Sequence, residues 1–406
     1  MPSAPIRLDG ARRILLVKPS ALGDVVHALP VAATLHRRYP NIPLDWLVEE
    51  EAEDIVRGHP ALSGVVVSGR KRWLRQLRHP AEIPATLREM RRFAAGLRRR
   101  RYDAVLDLQG LFKSALYVLA SGAAVRVGFA EGREGAPWVL THRVVAPPQP
   151  VHAVDRYLQL AAAVDACEPV REFHVYLSPD DLAVARFHLA ACRVPPGCPR
   201  VVLHPSARWR TKLWEVPRWR ELATALLADG IGVILTGSRE DEEMAESIVA
   251  GMNPPPLSLV GRLTLKQLVA VLREVDLMIT VDSGPMHIAT AVRTPVVALF
   301  GPTDPLRTGP LGPGRILRRE LPCSPCLQRS CRIDDAYRCM RDLGVAEVLG
   351  AVHEYLRAPT GPDRKDPQIT QSTPMSPPPD PSPAPLPIPP PPAGGGAGWG
   401  RPGGGL

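Results

Sequence analysis

The amino-acid sequence predicts an α/β protein of two doubly wound domains facing each other across a cleft. Three observations carry that expectation. Short apolar runs of strand length alternate with helix-length amphipathic segments up to Arg357, the pattern that builds a parallel sheet with helices on both faces. The alternation occurs as two series, separated by the proline-rich stretch Pro195 to Pro199. A length of 406 residues exceeds one ordinary domain and divides naturally into two cores, and 45% hydrophobic with 22% charged residues suits a globular chain.

In the first series, Arg13 to Lys18 reads as a buried strand, and Pro19 to Asp24 as the loop that turns it into a helix near Val25. Strand patterns follow at Pro43 to Val48 and Gly64 to Val67, then a long basic helix through Arg101, then a strand at Asp103 to Asp107. Gln109 to Ser114 opens another helix, Val125 to Gly128 is a strand, and His152 to Val164 is helical. The second series has strands at Val201 to His204, Gly232 to Leu235, Leu257 to Val260, Asp276 to Val281 and Pro295 to Phe300. Helices are expected at Pro217 to Ala228, Glu240 to Val249 and Leu265 to Leu272, with Val345 to Leu356 closing the globular part. The interval 165–200 holds the boundary, giving domains 1–180 and 181–343 and a closing helix at 344–357. Residues 358–406, with Pro-Pro-Pro and Gly-Gly-Gly runs, cannot bury a core and are expected to be disordered.

The net charge of +9 belongs to the folded part, because Arg364, Lys365 and Arg401 offset Asp363, Asp366 and Asp380 in the tail. Positive charge gathers at Arg70 to Arg78 and Arg88 to Arg101, as a solvated helix face or as a surface for something acidic. No zinc finger, aromatic RNA-binding signature or helix-turn-helix pattern accompanies it, which argues against nucleic acid. The apolar run Ile14 to Val17 is too short for an export signal, and no run has membrane-spanning length. The expected location is cytoplasmic, with peripheral attachment to the inner membrane face.

Chemistry concentrates in loops that follow predicted strands. Asp282-Ser-Gly-Pro-Met-His287 follows an apolar strand and opens a small-residue helix. In a parallel sheet that corner lies at the carboxyl end, where ligands bind, and the new helix offers unpaired amides to an anion. Asp282 adds an acceptor for hydroxyls, and His287 a donor or acceptor beside it. His204-Pro-Ser206 with Lys212, and Gly237-Ser-Arg-Glu240, occupy equivalent loops. Taken singly these residues also read as turns, caps and surface charges; taken together they imply a nucleoside diphosphate joined to a polyol. In the first domain Lys18, Ser20, Gly23 and Asp24 occupy such a loop without a G-x-G-x-x-G or Walker pattern, and Asp24 is a helix cap or a general base.

Leu15-Leu-Val-Lys-Pro-Ser-Ala-Leu-Gly-Asp24, Asp45-Trp-Leu-Val-Glu-Glu50, Tyr102 to Ser114, Val281 to Ala289 and Leu299-Phe-Gly-Pro-Thr-Asp304 carry a resemblance. From about Arg13 to Leu349 the sequence resembles the ADP-heptose heptosyltransferases of Gram-negative lipopolysaccharide core assembly, whose two Rossmann-like domains form the GT-B fold. Within that family it is most similar to heptosyltransferase I, which adds the first heptose to the Kdo of a lipid A-linked acceptor. The resemblance implies Asp24 as the base that takes the acceptor proton, with ADP displaced and the anomeric centre inverted. It implies Ser206 and Lys212 on the diphosphate, Glu240 on the ribose with Glu242 as a competing alignment, and Asp282 on the heptose hydroxyls. Ser283 and Gly284 would form the phosphate loop, with His287 supporting it. Lys18 would hold Asp24 ionised or contact the acceptor. Lys71, Arg72 and Arg75 match an acceptor-binding segment, with Arg126 and Arg133 as further candidates for the same task.

The expected donor is therefore ADP-heptose and the acceptor Kdo-lipid A, with no cofactor and no metal, since Lys212 and the helix after Gly284 can stabilise a departing diphosphate. Rival functions are a heptosyltransferase acting later in the core, a nucleotide-sugar epimerase, and a nucleotide-sugar-binding or assembly protein. Cys323, Cys326, Cys331 and Cys339 stand apart: their spacing admits a zinc site, structural thiols or a local redox pair.

Overall fold

The computed structural model describes residues 5–357 apart from 193, 196 and 334, so the expected tail at 358–406 lies outside the described residues. The first sheet holds β1 (Ile14–Val17), β2 (Leu44–Glu49), β3 (Gly64–Ser68), β4 (Ala104–Asp107), β5 (Val125–Phe129) and β6 (His142–Val144). All pairings are parallel, in the order 3-2-1-4-5-6. Its helices are α1 (Leu22–Arg38), α2 (Glu53–Val56), α3 (Arg70–Gln76), α4 (Ile83–Arg99), α5 (Phe112–Ser121) and α6 (Ala153–Ala163). β1 is apolar without alternation because both faces are covered: Ile14 and Leu16 pack under α1 and α6, Leu15 and Val17 under α4 and α5.

The second sheet repeats the plan. β7 (Arg200–His204), β8 (Gly232–Leu235), β9 (Leu257–Ser258), β10 (Leu277–Val281), β11 (Val296–Phe300) and β12 (Gly314–Arg318) are all parallel, in the order 12-11-10-7-8-9. With them go α7 (Pro179–Ala190), α8 (Val216–Ala228), α9 (Glu242–Val249), α10 (Leu265–Glu274), α11 (Gly284–Ala291), α12 (Pro305–Thr308), α13 (Arg338–Arg341) and α14 (Val345–Arg357). Counted within each half, the two strand orders are identical. Each therefore has one switch point, between β1 and β4 and between β7 and β10, and ligands of doubly wound sheets bind at such points.

Some boundaries differ from the sequence pattern for identifiable reasons. The long basic helix is two helices, because Pro80 holds His79 extended (φ −108°, ψ 108°) and starts a 3-10 turn between α3 and α4. α7 begins at Pro179 under a Ser178–Asp181 capping box and packs on α10, so it goes with the second sheet; its apolar residues are spread around the helix and left no stripe to read. β6 and β12 are edge strands rich in exposed charge. α14 packs on α8, β11 and β12 within the second core rather than standing apart. The inner helix layers of the two halves share one apolar cluster, with α1 against α11.

Candidate active site

Asp24 lies in the first turn of α1, directly after β1, at the first switch point. Beneath it Lys18 is buried, its ammonium 3.4 Å from the Asp24 carboxylate and 4.9 Å from the centre of the Tyr157 ring. Burial works against both charges, but each is the other's main compensation. Asp24 is therefore held below its ordinary pKa, and Lys18 above its own. The Asp24 side chain keeps 39% of its surface open. It is an ionised carboxylate facing a cavity, with its countercharge behind it.

The opposite wall comes from the second switch point. Lys212, in the loop after β7, reaches Asp282 at the end of β10 at 2.6 Å. Ser283 caps α11 without using its side chain on the helix amides, so the N–H groups of Gly284, Met286 and His287 at that end have no side-chain cap; Pro285 has none to offer. Ser206 donates to Asp241 at 3.0 Å, near the buried His204, whose imidazole burial pushes down to about 4. Glu240 sits in the exposed turn after β8 and lines the cavity, whereas Glu242 starts α9 and packs towards Gly261. A cavity of about 870 Å³ is lined from one side by Asp24 and from the other by Ser206, Lys212, Glu240, Asp282, Ser283, Gly284 and His287.

The walls meet along α1 and α11. A Cβ on Gly23 would come within 2.5 Å of the His287 ring, and one on Gly284 within 3.2 Å of Leu22, so both glycines permit the approach. His27 and His287 share a hydrogen bond of 3.0 Å between Nε2 and Nδ1, one donating and one accepting. His152, the N-cap of α6, lies edge-on to His27 at 5.2 Å and reaches the Gly309 carbonyl at 3.0 Å. Burial is the main cause that lowers all three imidazoles, reinforced for His27 and His287 by a neighbouring imidazole; His287 falls to about 3. The seam is built from neutral rings.

Residues 90–337 match the family profile described as glycosyltransferase family 9 (heptosyltransferase). The chain belongs to this family. It is 37% identical over 328 residues to lipopolysaccharide heptosyltransferase 1 of Pseudomonas aeruginosa, covering 79% of this chain and 87% of that protein. With lipopolysaccharide heptosyltransferase 1 of Escherichia coli K12 it shares 31% over 311 residues, 76% of this chain and 93% of the other. The solved E. coli heptosyltransferase WaaC with ADP-2-deoxy-2-fluoro heptose matches at a TM-score of 0.62 and 26% identity, over 84% of this chain and 99% of that one.

In this heptosyltransferase fold the expected acceptor-side residues are placed less uniformly than the donor-side ones. Lys18 is almost wholly buried, and its ammonium faces Asp24. Lys71 and Arg72 of α3 pair with Glu51 and with Glu50 and Glu89, while Arg75 is exposed and in no ion pair among the described residues. None of the three lines the cavity. Arg126 donates from its guanidinium to the Val139 and Ala123 carbonyls at 2.6 and 2.9 Å, and Arg133 is exposed.

Sequence reasoning missed a polar group beside the Asp24 loop. Lys113 bonds Ser20 and lies 3.6 Å from the buried Glu49, which Arg70 holds at 2.7 Å. It also missed Trp209 in the same cavity, whose ring carries Lys212 at 4.8 Å and Arg329 at 5.3 Å. Asp45, in a matching motif, is structural: Arg13, Arg100 and Tyr102 enclose it at 2.7–2.9 Å. The four clustered cysteines are free thiols. Cys339 is pushed up to about 11, first by burial and then by the other three, and among the described residues no group of three or more candidate ligands is arranged to hold a metal.

Proposed function

We propose that the chain is an inverting glycosyltransferase that moves heptose from ADP-heptose to a Kdo residue of the lipopolysaccharide inner core. One observation carries the mechanism: an ionised carboxylate and a set of anion-stabilising groups line a single cavity from opposite walls. The acceptor hydroxyl approaches from the Asp24 side and gives up its proton to that carboxylate as its oxygen bonds to the anomeric carbon. The bond from that carbon to the β-phosphate oxygen breaks on the far side, and ADP leaves. Lys212 and the α11 amides receive the charge that develops on the diphosphate, and no metal is needed for that task. Glu240 suits the ribose and Asp282 the heptose hydroxyls. Lys18 holds Asp24 ionised, and Lys113, Arg70 and Arg75 are the cations nearest in kind to an acidic acceptor.

Support comes from the relatives, named lipopolysaccharide heptosyltransferase 1, and from the related structure holding an ADP-heptose analogue. A lipid-anchored acceptor places the enzyme at the cytoplasmic face of the inner membrane, with no nucleic-acid partner. Among the described residues no helix is long and apolar enough to cross a membrane. The test is a transfer assay with ADP-heptose and either Kdo-lipid A or its heptosylated form, read by mass and repeated in EDTA. One heptose added to Kdo-lipid A, with ADP released, is expected in both buffers. Product from the heptosylated acceptor alone would assign a later core step; epimerised donor, or no ADP release, would replace the transferase reading, and loss in EDTA would overturn metal independence.

A further inference from the structure

The sheet face turned away from the donor cavity carries a surface that catalysis does not use. α5 buries Ala115, Tyr117 and Val118 against the first sheet and leaves Phe112, Leu116 and Leu119 at 58%, 50% and 51% exposure. Their spacing of four and three residues sets them in one stripe along the helix. Beside α5 packs the 3-10 turn Ala136–Val139, whose Trp138 is 84% exposed. Four large apolar side chains in a row exceed the scattered exposure of an ordinary surface.

One flank of the stripe is strongly basic and the other mixed. On one side α4 packs against α5 and exposes Arg91, Arg92, Arg98 and Arg99. Arg72 and Arg100 nearby are tied to Glu89 and Asp45, but these four are in no ion pair among the described residues. On the other side the exposed Arg143, which bonds the Pro137 carbonyl at 3.0 Å next to Trp138, and the exposed Arg133 stand among two carboxylates already engaged with backbone amides, Glu134 on Phe112 at 3.2 Å and Glu131 on Ala146 at 3.1 Å. An apolar ridge beside a row of unpaired arginines suits a surface with acyl chains below and anionic headgroups at the interface. A protein partner of matching acidity would face Trp138 and the leucines with charge it could not desolvate cheaply.

We infer that the α4–α5 face, with Trp138, is the surface by which this enzyme docks on an anionic phospholipid membrane, the stripe entering the interface and the arginines meeting the headgroups. This rests on the reading that the acceptor is lipid-anchored, and it adds where the membrane lies. α3, which carries Arg75, packs beside α4 in the same layer, so docking brings that cation to the membrane side. Phe112 starts α5 where β4 ends, at the rim that also holds Lys113 and Ser20.

The test uses the full chain and vesicles free of acceptor, so it does not depend on turnover. Co-sedimentation is measured with phosphatidylethanolamine vesicles containing phosphatidylglycerol, and with phosphatidylcholine alone, at low and high salt. Binding to the anionic vesicles that weakens with salt is expected, with a loss of about tenfold or more for Leu116→Ser/Leu119→Ser/Trp138→Ser. Arg91→Ser/Arg92→Ser/Arg98→Ser/Arg99→Ser should remove the preference for phosphatidylglycerol. Both variants should keep wild-type transfer to a water-soluble Kdo acceptor, which shows that they fold. Wild-type protein that binds neither vesicle, or a serine variant that binds as wild type does, would overturn the inference. So would a serine variant that alters self-association and leaves vesicle binding unchanged, which would make the face a contact between two copies.

Discussion

Acidification tests the histidine seam most directly. His27 and His287 share one hydrogen bond at the line where α1 meets α11, which two protonated rings could not make, and burial there favours the neutral form of each. His27 lies well below its ordinary value of 6.5, and His287 falls to about 3. The groups around them do not supply a full countercharge: Asp24 favours a proton on His27, but Lys18, Lys212 and His152 oppose protonation of one ring or the other. When the walls separate, both imidazoles meet water and regain ordinary values. Closure therefore requires fewer bound protons than opening, is complete above about 6.5, and is lost as pH falls below it. At pH about 5.5 each ring disfavours closure by about 1.4 kcal/mol, or about tenfold, and the two together by about a hundredfold. The assay is kcat/KM for transfer against pH, where the logarithm should fall below 6.5 with a slope of two or more, since His152 at the same seam is lowered too. His27→Gln keeps a polar partner for His287 and removes one titrating ring, so its slope should be lower by about one, with neutral-pH activity largely retained. A profile flat down to pH about 5, or an unchanged slope in the variant, would refute the reasoning.

Other expectations follow from single contacts. Asp24→Asn should bind ADP-heptose normally and lose about 10²–10⁴-fold in kcat, measured by ADP release; near-wild-type kcat would exclude Asp24 as base. Gly23→Ala places a methyl 2.5 Å from the His287 ring, and a strain of about 1–3 kcal/mol should lower kcat/KM by about 5- to 100-fold with the thermal midpoint little changed. Lys212→Met leaves Asp282 without its cation at 2.6 Å and should weaken donor binding and kcat together, by calorimetry and turnover. Equal donor affinity in that variant would mean that Lys212 serves Asp282 and not the diphosphate.

The strand-helix alternation was legible because parallel strands covered on both faces are apolar throughout and their loops are punctuated by Gly, Pro and Asp. β10 and the corner at Asp282 are the clearest case. Edge strands such as β6 lacked that signal, because exposure lets them be polar. Asp24, Lys212 and Glu240 were legible as a set once their loops were placed at equivalent strand ends, for the fold itself brings those ends together. The seam was not. His152 marked only the start of a helix and His27 carried no reading of its own, for nothing local marks a histidine as facing another far along the chain. What joins them is the packing of α1 on α11, which depends on glycines whose need for closeness shows only when the partner is present. Asp24 is caught in the same dependence. Its helix carries the Asp24 carboxylate on one turn and His27 on the next, so any movement that breaks the bond to His287 also carries the carboxylate away from the opposite wall. The two walls of the cavity are thus held to one another by the seam, and on the proposed mechanism turnover follows the protonation of rings that need not touch the substrate.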